Sequence, residues 1–280
     1  MPGFERQHST EPPFVVGIDL GTQSIRAIAF DARGRKAAEA RRATPMQDVG
    51  EGHSEYDPEA IFDTVVACLS ETAAQLGGGQ VAGIAVASIG ESCVILDGQG
   101  RCLAPSIAWF DRRADEAARS LASGFGAERV FEITGLKIEP IFTLCKLAWM
   151  RQHWREAFER VQRVLLMADW IAYRLSGVAG TDFTLASRTL FLDLARRQWS
   201  DELLANVGLD RGHLAPLMRS GSPLGKLRPE VLAATGLAGQ PVVAVGAHDH
   251  VCGALVAGLS EPGAVVDSIG TAEALLLATS

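Results

Sequence analysis

Cysteine is sparse in this 280-residue chain. The five present, Cys68, Cys93, Cys102, Cys145 and Cys252, are odd in number and lack C-x-x-C spacing, which argues against a disulfide framework or a zinc site. A reducing, cytoplasmic setting fits them. Positive charge is short too: 26 Lys and Arg against 33 Asp and Glu leave a formal net charge of -7, and no basic patch stands ready for nucleic acid or an anionic membrane. No apolar stretch is long and uninterrupted enough to span a bilayer, and Met1 to Pro13, polar and ending in Pro12-Pro13, is unlike a signal peptide. Residues 1–13 read as a disordered leader. No repeat of solenoid length and no low-complexity segment is present.

What is there suits a globular protein. Hydrophobic residues make up 48% and charged residues 21%, and the length allows one large domain or two. Strands are expected at 14–19, 25–31, 81–87, 92–97, 241–246 and 263–269, the last continuing into 273–278. Pro58 opens a helix over 58–76, with Ile61, Val65, Leu69 and Leu76 on one face and Gly77-Gly78-Gly79 ending it. Further helices are expected at 111–122, 143–159, 168–176, 200–207 and 228–236. Two strand clusters flanking a helix-rich middle, roughly 110–235, predict an α/β domain with a substantial insertion. Gly221-Ser222-Pro223-Leu224-Gly225 reads as a linker or turn before the chain rejoins the sheet.

The most informative stretch is Val15 to Ser24, where an apolar run ends in Asp19 and passes through a turn with Gly21, Thr22 and Ser24 into the strand from Ile25. Such a turn suits phosphate. Gly21 permits a backbone that a side chain would forbid, turn N–H groups can face anionic oxygens, and hydroxyls add donors. Asp19 offers a hard cation such as Mg²⁺ an oxygen ligand, directly or through water. The plain alternative is an ordinary hairpin with a capping Asp. A second turn of the same type, Asp267 to Ala272 with Gly270 and Thr271, lies between two more apolar runs. The pairing suggests two hairpins gripping one phosphate chain. Between them in sequence, Val242 to Gly246 leads into Ala247-His248-Asp249-His250 and a small-residue helix. A carboxylate at such a strand-to-helix junction lies where ligands bind in open α/β sheets, which makes Asp249 the candidate general base.

With these residues together, the chain resembles the N-terminal half of an FGGY-family carbohydrate kinase, a family within the actin, Hsp70 and hexokinase superfamily. The likeness extends from about residue 14 to the end. It includes Ala108-Trp109-Phe110-Asp111-Arg112-Arg113, Thr134-Gly135, and Phe142-Thr143-x-x-Lys146-Leu147-x-Trp149. It continues with Asp169-Trp170-Ile171-x-Tyr173-Arg174-Leu175-Ser176-Gly177, Thr181-Asp182-Phe183-x-x-Ala186-Ser187 and Trp199-Ser200. Ile141 departs from the pattern around the lysine. The resemblance implies an actin-like, ribonuclease H-like ATPase domain over 14–280, with a mixed sheet flanked by helices, a helix-rich insertion, and the family's second actin-like domain largely absent.

What the resemblance implies for the site follows residue by residue. ATP and Mg²⁺ are the expected cofactors, with Asp19 organising the metal, Gly21, Thr22, Gln23, Ser24 and Arg26 in the first phosphate loop, and Gly270 and Thr271 in the second. Asp249 takes the proton of the attacking hydroxyl. A small-molecule sugar or polyol is expected against Gly90, Glu91, Trp109, Asp249 and His250, with Glu91 accepting hydroxyl hydrogen bonds and the Trp109 face covering C–H groups. Polyol-type members carry a Glu at the Glu91 position and pentulose-type members a His, so the chain leans to the former, although Gly90 stands where polyol-type members have Arg. Neither nucleic acid nor membrane is expected as a partner; a homodimer is compatible, the oligomeric state being left open. His248 is expected only to bond the local backbone. Trp149, Trp154, Trp170 and Trp199 are expected in packing, Lys146 as a solvated helical lysine or, from the family pattern, in a structural or cleft role, Asp111 and Asp182 as helix caps, and Arg41-Arg42 at the surface.

Two rivals remain from other classes. A chaperone-like or filament-forming ATPase of actin fold would share Gly17 to Thr22, but would carry a Gly-rich Asp-Leu-Gly-Gly-Gly-Thr loop near 267–272 and lack the Phe142 to Trp149 pattern. A catalytically incompetent sugar-binding fragment would keep the acids and loops without turnover.

Overall fold

The computed structural model describes residues 13–269 and 273–279, so most of the expected leader and both Gly270 and Thr271 lie outside the described residues. The chain opens on an antiparallel meander: β1 (Phe14–Leu20), β2 (Ser24–Phe30) and β3 (Lys36–Ala43). Alternation decides which side chains go inside. Val16, Ile18 and Leu20 are buried with Ile25, Ala27 and Ala29, while Gly17, Asp19, Arg26 and Ile28 face the other way and stay half-exposed.

Helix α1 (Pro58–Gln75) covers the buried face. Asp57 caps it by accepting from the N–H groups of Glu59 and Ala60, and Pro58 occupies the first turn, where its missing N–H costs nothing. Its buried Ile61, Phe62, Val65 and Leu69 each contribute about 1.5–3 kcal/mol by leaving water. The hydroxyl of Thr72 donates to the Ala27 carbonyl at 3.1 Å, tying helix to sheet. β4 (Gln80–Ser88) then returns parallel to β1.

The middle is helical but not exclusively so. β5 (Cys93–Leu96) leaves the main sheet and pairs antiparallel with β6 (Arg163–Leu166), a partner that lies beyond α2 (Thr143–His153). Helices α3 (Met167–Ser176) and α4 (Phe183–Ala186) follow. The helix expected at 111–122 starts at Asp115 and runs through a wide turn at 122–126 into a further helix ending at Thr134. That expected at 143–159 breaks at Trp154.

The stretch expected as a linker includes an edge strand, β7 (Pro223–Lys226), antiparallel to the long β8 (Ala238–His248). Pro223 is tolerated there because it begins an edge strand. The sheet order is β7-β8-β4-β1-β2-β3, with β4 parallel to both β8 and β1. Gly246 is demanded by packing: a Cβ there would lie 1.7 Å from the Val86 carbonyl oxygen, where β8 shifts register against β4. β8 runs directly into α5 (Asp249–Val256), and β9 (Val265–Ile269) and β10 (Glu273–Leu277) form a two-stranded ribbon outside the main sheet.

The parallel register fixes the place of the site. Leu20 and His248 both pair with Ser88, so the carboxyl ends of β1, β4 and β8 finish at one edge. Asp19, the loop after β4 and Asp249 arrive there together. Among the described residues no helix is long and apolar enough to cross a membrane.

Candidate active site

At the end of β1, Asp19 sits opposite Arg26 in the register, its carboxylate 3.6 Å from the guanidinium. Burial raises its pKa, and Arg26 pulls the other way. The turn that follows is tightly held: the Gly21 N–H donates to the Ser24 carbonyl at 3.0 Å, and the Thr44 hydroxyl donates to the Gly21 carbonyl at 2.7 Å. Gln23 is exposed and Ser24 is buried beneath the turn. Thr22 reaches sideways. Its hydroxyl accepts the Trp109 indole N–H at 2.8 Å, joining the first candidate phosphate loop to the first candidate sugar residue.

The loop after β4 carries the second group. Glu91 is buried with φ of 59°, a left-handed conformation rare for a side-chain-bearing residue, and its carbonyl accepts the Thr143 hydroxyl at 2.9 Å. Its carboxylate is not alone: Arg188 Nε donates to Oε1 at 2.6 Å. A buried charge needs such a partner. Of the two expectations for Lys146 the solvated one fails: the residue is fully buried, with Nζ donating to the Trp109 carbonyl at 3.2 Å. Burial lowers its pKa to about 8 against the pull of Glu91. Helix α2 turns this position inward, and the head group finds oxygen there rather than water.

Asp249 opens α5 as the third group. Burial raises its pKa to about 6, while the His250 backbone N–H, donating to Oδ1 at 2.6 Å, and the His250 ring oppose that; Asp19 and Glu91 add to the rise. The His250 ring Nδ1 lies 2.9 Å from the Ser268 hydroxyl and its plane stacks on His248, centroids 5.4 Å apart. His248 does more than bond local backbone. Its N–H donates to the Thr184 hydroxyl at 2.9 Å, its ring packs against Gly90, and burial lowers its pKa to about 4.

These groups line one cleft of about 590 Å³, with Thr22, Gln23, Gly90, Glu91, Trp109, Asp249 and His250 on its walls. Asp19 stands at the same sheet edge, roughly 10 Å from the end of β8 by the spacing of two strand intervals. Arg188 and Thr184 are among the wall residues that escaped sequence reasoning. The signal for Arg188 was indirect: it follows Ala186-Ser187, and a buried Glu91 requires a cation.

Other polar residues of the same sequence patterns are structural. Asp111 does not cap a helix, since the helix begins at Asp115 with Ala114 before it; its carboxylate accepts the Ser54 N–H at 2.7 Å and pairs with Arg113. Burial works to raise its pKa, and the bonds from Arg113 and Ser54 win and lower it. Arg113 also pairs with Glu55 and lies over the Trp149 ring, 5.1 Å from its centroid. Asp182 does cap α4, accepting the Leu185 N–H at 2.9 Å. Trp170 and Trp199 are buried, the latter donating to the Ala215 carbonyl at 2.9 Å. Arg42 pairs at the surface with Glu71.

The model of the FGGY family of carbohydrate kinases, N-terminal domain, matches residues 14–256. A xylulose kinase of Bacillus subtilis is 31% identical over 265 residues, covering 94% of this chain and 53% of that protein. A glycerol kinase of Methylibium petroleiphilum is 34% identical over 229 residues, covering 78% of this chain and 46% of the other. The crystal structure of xylulose kinase from Rhodospirillum rubrum superposes with a TM-score of 0.90 at 29% identity, covering 95% of this chain and 55% of that one. The chain thus spans about half the length of the relatives it matches. With its actin-like fold and a matched segment of this extent, the chain belongs to the FGGY family of carbohydrate kinases.

Proposed function

We propose that the chain provides the sugar-binding half, and the base, of an ATP-dependent kinase that phosphorylates a hydroxyl of a ketose or polyol. The observation that carries this reading is the meeting of Asp249, Glu91 and Trp109 on one cleft whose wall includes the Thr22 turn. A carboxylate with a pKa near 6 is ionised at neutral pH yet basic enough to accept a proton in the transition state. Asp249 takes the proton of the substrate hydroxyl as its oxygen bonds to the γ-phosphorus; the bond from that phosphorus to the bridging oxygen breaks, and ADP leaves. Glu91 and the face of Trp109 hold the carbohydrate while this happens, and positioning of this kind supplies much of the rate of phosphoryl transfer.

Asp19 fits Mg²⁺ brought in on nucleotide phosphates, since that ion keeps several waters and takes only one or two protein carboxylates. When bound, the ion would neutralise charge on the phosphates. The backbone of the Gly21 turn and Arg26 would stand near the same oxygens.

Because the chain spans half of its relatives, turnover by a whole enzyme is part of the proposal. Mixing this polypeptide with ATP, Mg²⁺ and a panel of ketoses and polyols tests it. Sugar-dependent ADP release supports the kinase. Sugar binding without release supports a sugar-binding unit that needs more chain for turnover, and neither binding nor release contradicts the reading.

A further inference from the structure

We infer that Arg188 is a substrate-contacting, specificity-determining residue, which together with Glu91 forms a donor and acceptor edge for two neighbouring hydroxyls of a neutral polyhydroxylated substrate. The inference rests on the sugar-kinase reading above and narrows its substrate class.

The geometry begins with Gly90. A Cβ at that position would lie 3.1 Å from Arg188 Cγ and 3.0 Å from the His248 ring, so the bare glycine lets both side chains close over the loop. Arg188 then places Nε and Nη2 each 2.6 Å from the same oxygen of Glu91, Oε1. Among the described residues neither Glu91 Oε2 nor Arg188 Nη1 has a hydrogen-bond partner. The guanidinium is held from behind, its carbon 5.0 Å from the centroid of the Phe142 ring, while its side chain remains 30% exposed on the cleft.

A rigid, planar donor beside a carboxylate with one free oxygen suits a vicinal diol: one hydroxyl donates to Glu91 Oε2 and its neighbour accepts from Arg188. A carboxylate-bearing sugar acid suits it poorly. Glu91 already occupies the guanidinium and Asp249 faces the same cleft, so an incoming carboxylate competes with Glu91 for Arg188 and is repelled by Asp249. Sites that hydrogen-bond a hydroxyl reject analogues lacking it, because their own polar groups are left unpaired.

Calorimetric binding to the full chain tests this with D-xylulose, xylitol, glycerol and gluconate, followed by the monodeoxy analogues of the tightest neutral binder. The expected result is at least tenfold preference for that neutral ligand over gluconate. Arg188→Gln should weaken the neutral ligand at least tenfold and weaken one monodeoxy analogue less than threefold, with partial rescue in Arg188→Lys. Gly90→Ala, which crowds Arg188 and the His248 ring without removing either, should reproduce the selective loss and covers the case in which Arg188→Gln fails to fold. Uniform loss across all analogues, or no loss, overturns direct contact while leaving the kinase reading intact. Tighter binding of gluconate overturns the substrate class, and no binding of any ligand by the unaltered chain overturns the kinase reading with it.

Discussion

The β1–β2 pair and the β9–β10 pair have similar apolar strands and similar Gly-Thr sequences between them, yet their surroundings are opposite. Val16, Ile18 and Leu20 are sealed between the sheet and α1, whereas Val265, Ile269, Leu275 and Leu277 are 60%, 77%, 72% and 59% exposed on one face of an isolated ribbon. Period-two hydrophobicity therefore marks a strand without saying what it will pack against. A two-stranded ribbon is marginal by itself, so β9–β10 draws its order from α5 and from the cleft it borders, while β1–β2 draws its order from four more strands.

That contrast can be broken by mutation. Ile18→Ala should cost about 2–5 kcal/mol, the usual loss for a buried branched side chain, and lower the denaturant midpoint accordingly. A loss below about 1 kcal/mol would mean that the first hairpin is no better supported than the second. Asp249 offers the next largest effect. Its folded pKa, near 6, lies above the ordinary 3.8, so the folded state holds the proton more tightly and the ionised carboxylate destabilises it once the pH has risen through that window. Asp249→Asn should therefore raise stability by about 1–3 kcal/mol at pH 7.5, with the gain vanishing near pH 4. Equal gains at both pH values in urea titrations would contradict the assignment.

Smaller effects sharpen the comparison. Thr22→Val removes the acceptor for the Trp109 indole, a bond of about 0.5–1.5 kcal/mol, and should shift the emission of Trp109 without disturbing β9–β10. Trp109→Phe identifies the signal. Leu275→Ser, at an exposed position of the ribbon, should change stability by less than about 0.5 kcal/mol. A larger loss would show that this position is covered in solution.

Much of the architecture was legible because it depends on local rules. The Asp57 cap, Pro58 at the first turn and the Ile61, Val65, Leu69 stripe announce α1, and the alternation around Gly21 announces the first hairpin. β3 and β7 were missed since edge strands need little hydrophobicity: Lys36, Arg41 and Arg42 are exposed, and Pro223 looks like a turn. The candidate site was readable at Asp19, Glu91, Trp109 and Asp249, whose residue types carry chemistry in themselves. Arg188 and the burial of Lys146 were not, because both depend on where a distant carboxylate or carbonyl falls in three dimensions.

The central claim is that Asp249 serves as the base in a cleft shared with Glu91 and Trp109. Its most direct test is sugar-dependent ADP release by a protein spanning the full length of the relatives, measured for the parent and for Asp249→Asn with sugar affinity measured in parallel. The account predicts a fall in turnover of about 10²–10⁴-fold with sugar affinity held within about threefold. Turnover within about threefold of the parent would contradict it.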